Sequence, residues 1–145
     1  MSKWDTRFIK LAREVASWSK DPKHKIGAVA VSLKGQVLSQ GYNGFPRGFP
    51  DSKELYTNKD KKRQLVVHAE QNVIYNATYT GVCLSGATLY ISGLPPCHEC
   101  TKGIIQTGIA RVVIDSTDAH SWHESWQLSQ EMLTTCNVKL DIYLN

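Results

Sequence analysis

Apolar residues recur along this chain in two alternating rhythms, one suited to helices and one to strands. Trp4, Phe8, Leu11 or Ala12, and Val15, with Lys10, Arg13 and Glu14 between them, predict an amphipathic helix over residues 4–18. Its aromatic stripe is expected in the core rather than on a ligand platform. Ser19-Lys20-Asp21-Pro22 then breaks the pattern. Ile26 to Ser32 is almost continuously apolar and predicts an interior strand. Leu33-Lys34-Gly35-Gln36 reads as a hairpin turn into a second strand, Val37 to Gly41.

From Gly41 to about Arg63 periodicity lapses, as in a long functional or disordered loop. Leu65 to Thr78 reads as a helix with Val73, Ile74 and Ala77 turned inward, and Ala87 to Ser92 as a third strand. A helix from Cys97 to Thr107, a strand from Arg111 to Asp115, a helix from Trp122 to Thr135 and a strand from Val138 to Leu144 complete the chain. Strands alternating with helices predict an α/β fold, a single five-stranded mixed sheet sandwiched between helices.

Length and composition narrow the class. One domain, residues 1–145, is long enough to bury a core without staples. No apolar run approaches a membrane span, and Met1-Ser2-Lys3-Trp4-Asp5 lacks the apolar core of a secretory signal, so a cytoplasmic protein is expected. Four cysteines in a reducing compartment point to metal or redox work rather than a disulfide framework. Cys83 and Cys136 have no companions and are expected to be buried free thiols. A net charge of +4 suits an anionic ligand but does not argue for long nucleic acid. The basic run Lys59-Asp60-Lys61-Lys62-Arg63 is expected to be a solvated face.

The chemistry concentrates in His68-Ala69-Glu70 and Pro95-Pro96-Cys97-His98-Glu99-Cys100. Two thiolates at the first turn of a helix, with an imidazole from elsewhere, suit zinc and leave its fourth tetrahedral position to water. Glu70, two residues from His68, can reach that position without being a ligand. The helix N-terminus favours the ionised sulfurs. A thioredoxin-like redox pair lacks the surrounding βαβ context, and a structural zinc site lacks a second Cys-x-x-Cys or paired histidines. Haem attachment would need histidine where Thr101 stands. His98 is expected to point away from the thiolates. His24, His120 and His123 are expected to be surface or satisfied histidines.

His-x-Glu followed by Pro-Cys-x-x-Cys is the signature of zinc nucleobase deaminases, and with it the chain resembles the cytidine deaminase superfamily. Ser19-Lys20-Asp21-Pro22, Ile26-Gly27-Ala28-Val29, Gly41-Tyr42-Asn43-Gly44-Phe45-Pro46-Arg47-Gly48 and Ile104-Ile105-Gln106-Thr107-Gly108-Ile109 extend the likeness over nearly the whole length and narrow it to the deoxycytidylate (dCMP) deaminase branch. The resemblance implies a cytidine deaminase-like fold and one zinc ion held by His68, Cys97 and Cys100. Glu70 would move protons, Asn43 would bond the sugar and base region, and the Ala69 backbone would contact the ring carbonyl. The reaction would convert dCMP and water to dUMP and ammonia. Phosphate contacts are expected from Lys23 or Lys25.

Relatives of this kind are often homo-hexamers activated by dCTP and inhibited by dTTP, which assigns Asn43, Gly44, Arg47 and Gly48 to an effector site. Many carry a Tyr-His-Asp-type sequence after the fourth strand. Here Ala119-His120-Ser121-Trp122-His123 stands instead, with His120 as the residue that could take over part of that role. Two rivals remain: another deaminase of the superfamily, such as one acting on tRNA adenosine or dCTP, and a catalytically silent nucleotide-binding subunit.

Overall fold

The computed structural model describes residues 1–116 and 123–143. The described elements are α1 (Lys3–Ser17), β1 (Gly27–Val31), β2 (Val37–Tyr42), α2 (Lys53–Thr57), α3 (Lys59–Leu65), α4 (Ala69–Thr80), β3 (Thr88–Ser92), α5 (His98–Gln106), β4 (Arg111–Ile114), α6 (His123–Thr135) and β5 (Lys139–Ile142). The strands form one sheet in the order β2-β1-β3-β4-β5. β1 is antiparallel to both neighbours, and β3, β4 and β5 run parallel. The five-stranded mixed sheet between helices expected from the sequence is the one the chain forms.

Side chains alternate across the interior strands and build two cores. Ala28, Ala30, Leu89, Ile91, Val112 and Ile114 join the cluster to which α4, α5 and α6 contribute. Val29, Val31, Tyr90 and Val113 pack with Ile9, Ala12 and Val15 of α1. Burial on both faces is why these strands read as continuous apolar runs. The parallel half of the sheet requires crossovers, which α5 and α6 supply.

Helix α1 begins with a capping box: Asp5 N–H donates to Ser2 Oγ at 3.1 Å, and Ser2 N–H donates to the Asp5 carboxylate at 3.0 Å. Trp4, expected in the buried stripe, is 53% exposed, lies against Phe8 and carries Arg7 over its ring. The buried face runs through Asp5, Ile9, Ala12, Val15 and Ala16, so Ala12 and Val15 lie in the core as expected while Trp4 does not. At the start of the helix Asp5 is buried in place of Trp4, its carboxylate turned inward to meet Tyr90 and Arg111, each at 2.8 Å.

Residues 41–63 are not the patternless loop expected. Ser52 Oγ and Asn58 Oδ1 cap two short helices by accepting from Leu55 N–H and Lys61 N–H, both at 3.2 Å. Phe45 stacks on buried Tyr56 at 4.3 Å between ring centroids. Cys83 and Cys136 are exposed rather than buried. Each stands just past a helix C-terminus, in the turn after α4 or α6, where the chain runs along the surface. No helix among the described residues is long and apolar enough to cross a membrane.

Candidate active site

Two helix N-termini converge at the ends of β2 and β3. His68 was expected inside a helix; it stands one residue ahead, as the N-cap of α4. Its backbone N–H donates to Gln71 Oε1 at 3.0 Å. Gly41 lets the first turn of α4 lie directly on β2, since a Cβ there would meet Ala69 O and Val73 N at 2.6 Å each. Asn72 and Asn76 fasten the helix by donating to Tyr42 O at 2.8 Å and Gln40 O at 2.7 Å.

On the other side, β3 ends at Ser92 and Gly93 turns the chain with φ of +115°. Cys97 caps α5, its sulfur accepting from Cys100 N–H at 3.4 Å. Buried Ser129 of α6 donates to Pro96 O at 2.9 Å and holds this turn.

His68 Nδ1 lies 3.3 Å from Cys100 Sγ and 3.5 Å from Cys97 Sγ, and the three ligand atoms all fall within 4.8 Å of one another. Tetrahedral zinc with ordinary Zn–S and Zn–N bonds places such atoms about 3.5 Å apart. The donor set therefore fits one zinc ion. The Cys97 thiol is pulled down to about 4, first by the hydrogen bond from Cys100, against burial, with His68 adding to the effect. Hydrogen bonding to Cys97 and burial push the Cys100 thiol up. Two sulfurs thus share a proton that a dication would displace.

Glu70, in the first turn of α4, is 4% exposed and lines the same cavity as His68 and Cys97. Burial raises its carboxyl above the usual range. His98 is not in this group: its ring and its backbone N–H both turn to Ser125 Oγ, at 2.7 and 2.8 Å. His24 is exposed at the cavity wall and His123 is exposed at the start of α6, while His120 lies outside the described residues.

The cavity holds about 350 Å3. Ala69 lines it, and as the first residue of α4 it has a backbone N–H with no partner within the helix. Asn43 also lines it, but its side chain is largely committed. Oδ1 accepts from Ile26 N–H at 3.0 Å, and Nδ2 donates to His24 O at 2.8 Å and to the Asp21 carboxylate at 3.5 Å. Lys23 reaches the cavity. Lys25 does not, because its ammonium donates to the Ser19 carbonyl.

Lys59, Lys62 and Arg63 of α3, expected on a solvated face, line the same cavity. Their i, i+3, i+4 spacing behind the Asn58 cap is the signal that would have placed them together. Lys62 Nζ meets the Asp21 carboxylate at 2.6 Å, with Asp21 almost fully buried. Burial alone would raise the Asp21 carboxyl; Lys62 and the N–H groups of Lys23 and His24 outweigh it and hold the group below its ordinary range.

The effector segment divides. Gly44 pairs with Val67 through backbone bonds of 3.1 and 2.7 Å. Arg47 donates to Asn76 at 2.6 Å and lies over Tyr79, in a separate hollow beside β2 and α4. Gly48 takes φ of +84° in an exposed turn.

A family model, the cytidine and deoxycytidylate deaminase zinc-binding region, matches residues 2–116. The chain belongs to this deaminase family. A deaminase from the luxG 3′ region of Aliivibrio fischeri, itself uncharacterized, is 36% identical over 97% of this chain and 93% of its own length. Human deoxycytidylate deaminase is 38% identical, covering 84% of this chain and 70% of the human protein. Among solved structures, the apo dCMP deaminase of cyanophage S-TIM5 superposes with a TM-score of 0.79 at 25% identity, covering 99% of this deaminase and all of the phage chain.

Proposed function

We propose that this deaminase hydrolyses dCMP to dUMP and ammonia. The observation that carries the reading is the burial of Glu70 in the wall of a nucleotide-sized cavity that also presents His68 and Cys97. The deoxycytidylate deaminase relatives supply the substrate. His68, Cys97 and Cys100 would hold zinc, which would supply Lewis acidity and make water a better nucleophile near neutral pH.

Glu70 takes the two protons of the attacking water in turn, passing the first to ring N3 and the second, released from the new C4 hydroxyl, to the departing amino group. A carbon–oxygen bond forms at C4, the carbon–nitrogen bond breaks and ammonia leaves. Burial suits the carboxylate to this exchange by raising its proton affinity. The Ala69 N–H donates to the ring carbonyl, and Asn43 Oδ1 offers its remaining lone pair to the sugar.

A homo-oligomer, a cytoplasmic location and regulation by dCTP and dTTP belong to the same proposal. The last is supported by the placement of Arg47 in a hollow apart from the catalytic cavity. The test is a deamination panel of dCMP, CMP, dCTP, deoxycytidine and an RNA anticodon stem, run with zinc-loaded protein with and without dCTP and dTTP. The highest kcat/KM is expected for dCMP. Zinc-loaded protein inert towards dCMP, or faster on the RNA, overturns the reading.

A further inference from the structure

Ser129 has a placement that core packing does not explain. It is fully buried on the inner face of α6 between Trp126 and Leu133, where a hydroxyl costs free energy unless it finds a partner. A serine inside a helix commonly bonds a carbonyl of its own preceding turn. The Ser129 hydroxyl instead leaves its helix and donates to Pro96 O at 2.9 Å. Ser125 stands one turn earlier on the same side of α6. Its Oγ accepts from the His98 N–H at 2.8 Å and lies 2.7 Å from His98 Nδ1. Pro96 and His98 are the residues on either side of Cys97. Hydroxyls of one helix therefore hold the chain immediately before and immediately after a member of the metal-binding set. The other two members are placed from their own helices. The His68 N–H is tied to Gln71 of α4 at 3.0 Å, and Cys100 is buried within α5. Cys97 precedes α5 as its N-cap, and Pro95 and Pro96 have no N–H with which to fix the approach to it. Inside α5 its carbonyl accepts from Thr101 and its sulfur from the Cys100 N–H, while the turn leading into it is fixed from α6.

We propose that Ser125 and Ser129 are positioning residues for the metal site, together fixing Cys97 Sγ at the separation from its two companions that one ion requires. The inference rests on the zinc reading of His68, Cys97 and Cys100, and not on the identity of the substrate. The Cys97 sulfur lies 3.5 Å from His68 Nδ1, the spacing of a tetrahedral zinc site. A shift of the turn before Cys97, or of the first amide after it, would carry the sulfur off that spacing. A serine hydroxyl suits each task. Ser129 meets an acceptor, the Pro96 carbonyl, and Ser125 meets the His98 N–H, one of the amides at a helix start that the helix itself cannot satisfy. Groups that orient metal ligands from outside are each worth roughly ten- to a hundredfold in metal affinity. Here they act through the backbone on both flanks of the ligand rather than on its side chain.

The test measures zinc affinity of the full-length chain by competition with a chromophoric chelator, for wild type, Ser125→Ala, Ser129→Ala and the double variant. The double variant is expected to bind zinc about a hundredfold more weakly than wild type, and each single variant about tenfold more weakly. Ser125→Thr, which keeps the hydroxyl, is expected to restore wild-type affinity. Leu133→Ala isolates stability, since it truncates a fully buried side chain one turn further along α6. It is expected to lower the thermal midpoint and leave zinc affinity unchanged. Wild-type affinity in the double variant, or an equal loss in Leu133→Ala, overturns the role of the two serines. The single variants carry the same test should the double variant fail to fold. Wild type that binds zinc more tightly than the serine variants but leaves dCMP unreacted would retain the positioning role and reject the proposed reaction. Wild type that binds no zinc rejects both.

Discussion

Two clusters of ionisable side chains lie within this small protein, and their charge accounts differ. Around Arg111, every charge has an opposite within the chain. Asp5 receives Nη1 at 2.8 Å and Nη2 at 3.2 Å, Asp141 receives Nε at 2.7 Å, and Lys139 stands 3.7 Å from Asp141. Tyr90 and Ser2 N–H occupy further lone pairs of Asp5. Around His68 the balance fails: two sulfurs and a buried carboxylate meet a single imidazole. A satisfied cluster stabilises and specifies the fold, whereas one short of positive charge calls for a cation. Local charge balance thus separates a structural network from a reactive one more sharply than burial does.

Removing the cation tests this contrast hardest. Dialysis against a strong chelator is expected to abolish turnover and lower the thermal midpoint, with both restored by zinc and neither by magnesium, which prefers oxygen ligands. Activity that survives with no bound metal would erase the distinction. Next in size, Glu70→Gln is expected to retain one zinc per chain while kcat falls by about a hundredfold to ten-thousandfold. Near-normal turnover in that variant would remove Glu70 from proton transfer.

The balanced cluster should respond in stability instead. Asp5→Asn is expected to cost about 2–3 kcal/mol by leaving Arg111 partly unmatched, with kcat unchanged well below the unfolding midpoint. The Arg111 hydrogen bond holds the Asp5 carboxyl well below its ordinary 3.8. Its contribution is therefore full above about pH 4 and is lost on acidification, as the unfolded chain takes up the proton first. Denaturation curves between pH 3 and 6 should show a weaker acid dependence for Asp5→Asn than for wild type; identical dependences would remove Asp5 as a source. The smallest effect belongs to Cys83→Ser with Cys136→Ser. Exposed thiols outside both clusters should alter stability by less than about 0.5 kcal/mol and leave zinc content unchanged.

What could be read from the sequence follows the range of the interaction. Strands β1, β3 and β4 announce themselves because burial on both faces makes them continuously apolar. The histidine and two cysteines are legible because metal geometry constrains residue type and spacing together. The pairing of Asp5 with Arg111 spans 106 positions, and no local pattern carries it; missing it also left Trp4, rather than Asp5, as the expected buried residue of the first turn of α1. Helix α3 was illegible for another reason, since a helix that buries nothing has no apolar period. Its cations look like ordinary surface charge until folding turns three of them towards the cavity. Asn43 shows a further limit: residue type told of hydrogen bonding, but the Asp21–Ile26 segment takes much of that capacity.

The absence of a methyl group at position 41 has a consequence for how this protein would fail. Any larger residue there wedges the start of α4 off the sheet and carries its N-cap imidazole away from the two sulfurs. Damage at this spot would register first as poor ion retention in an otherwise folded chain, so metal analysis would detect it before a melting curve did.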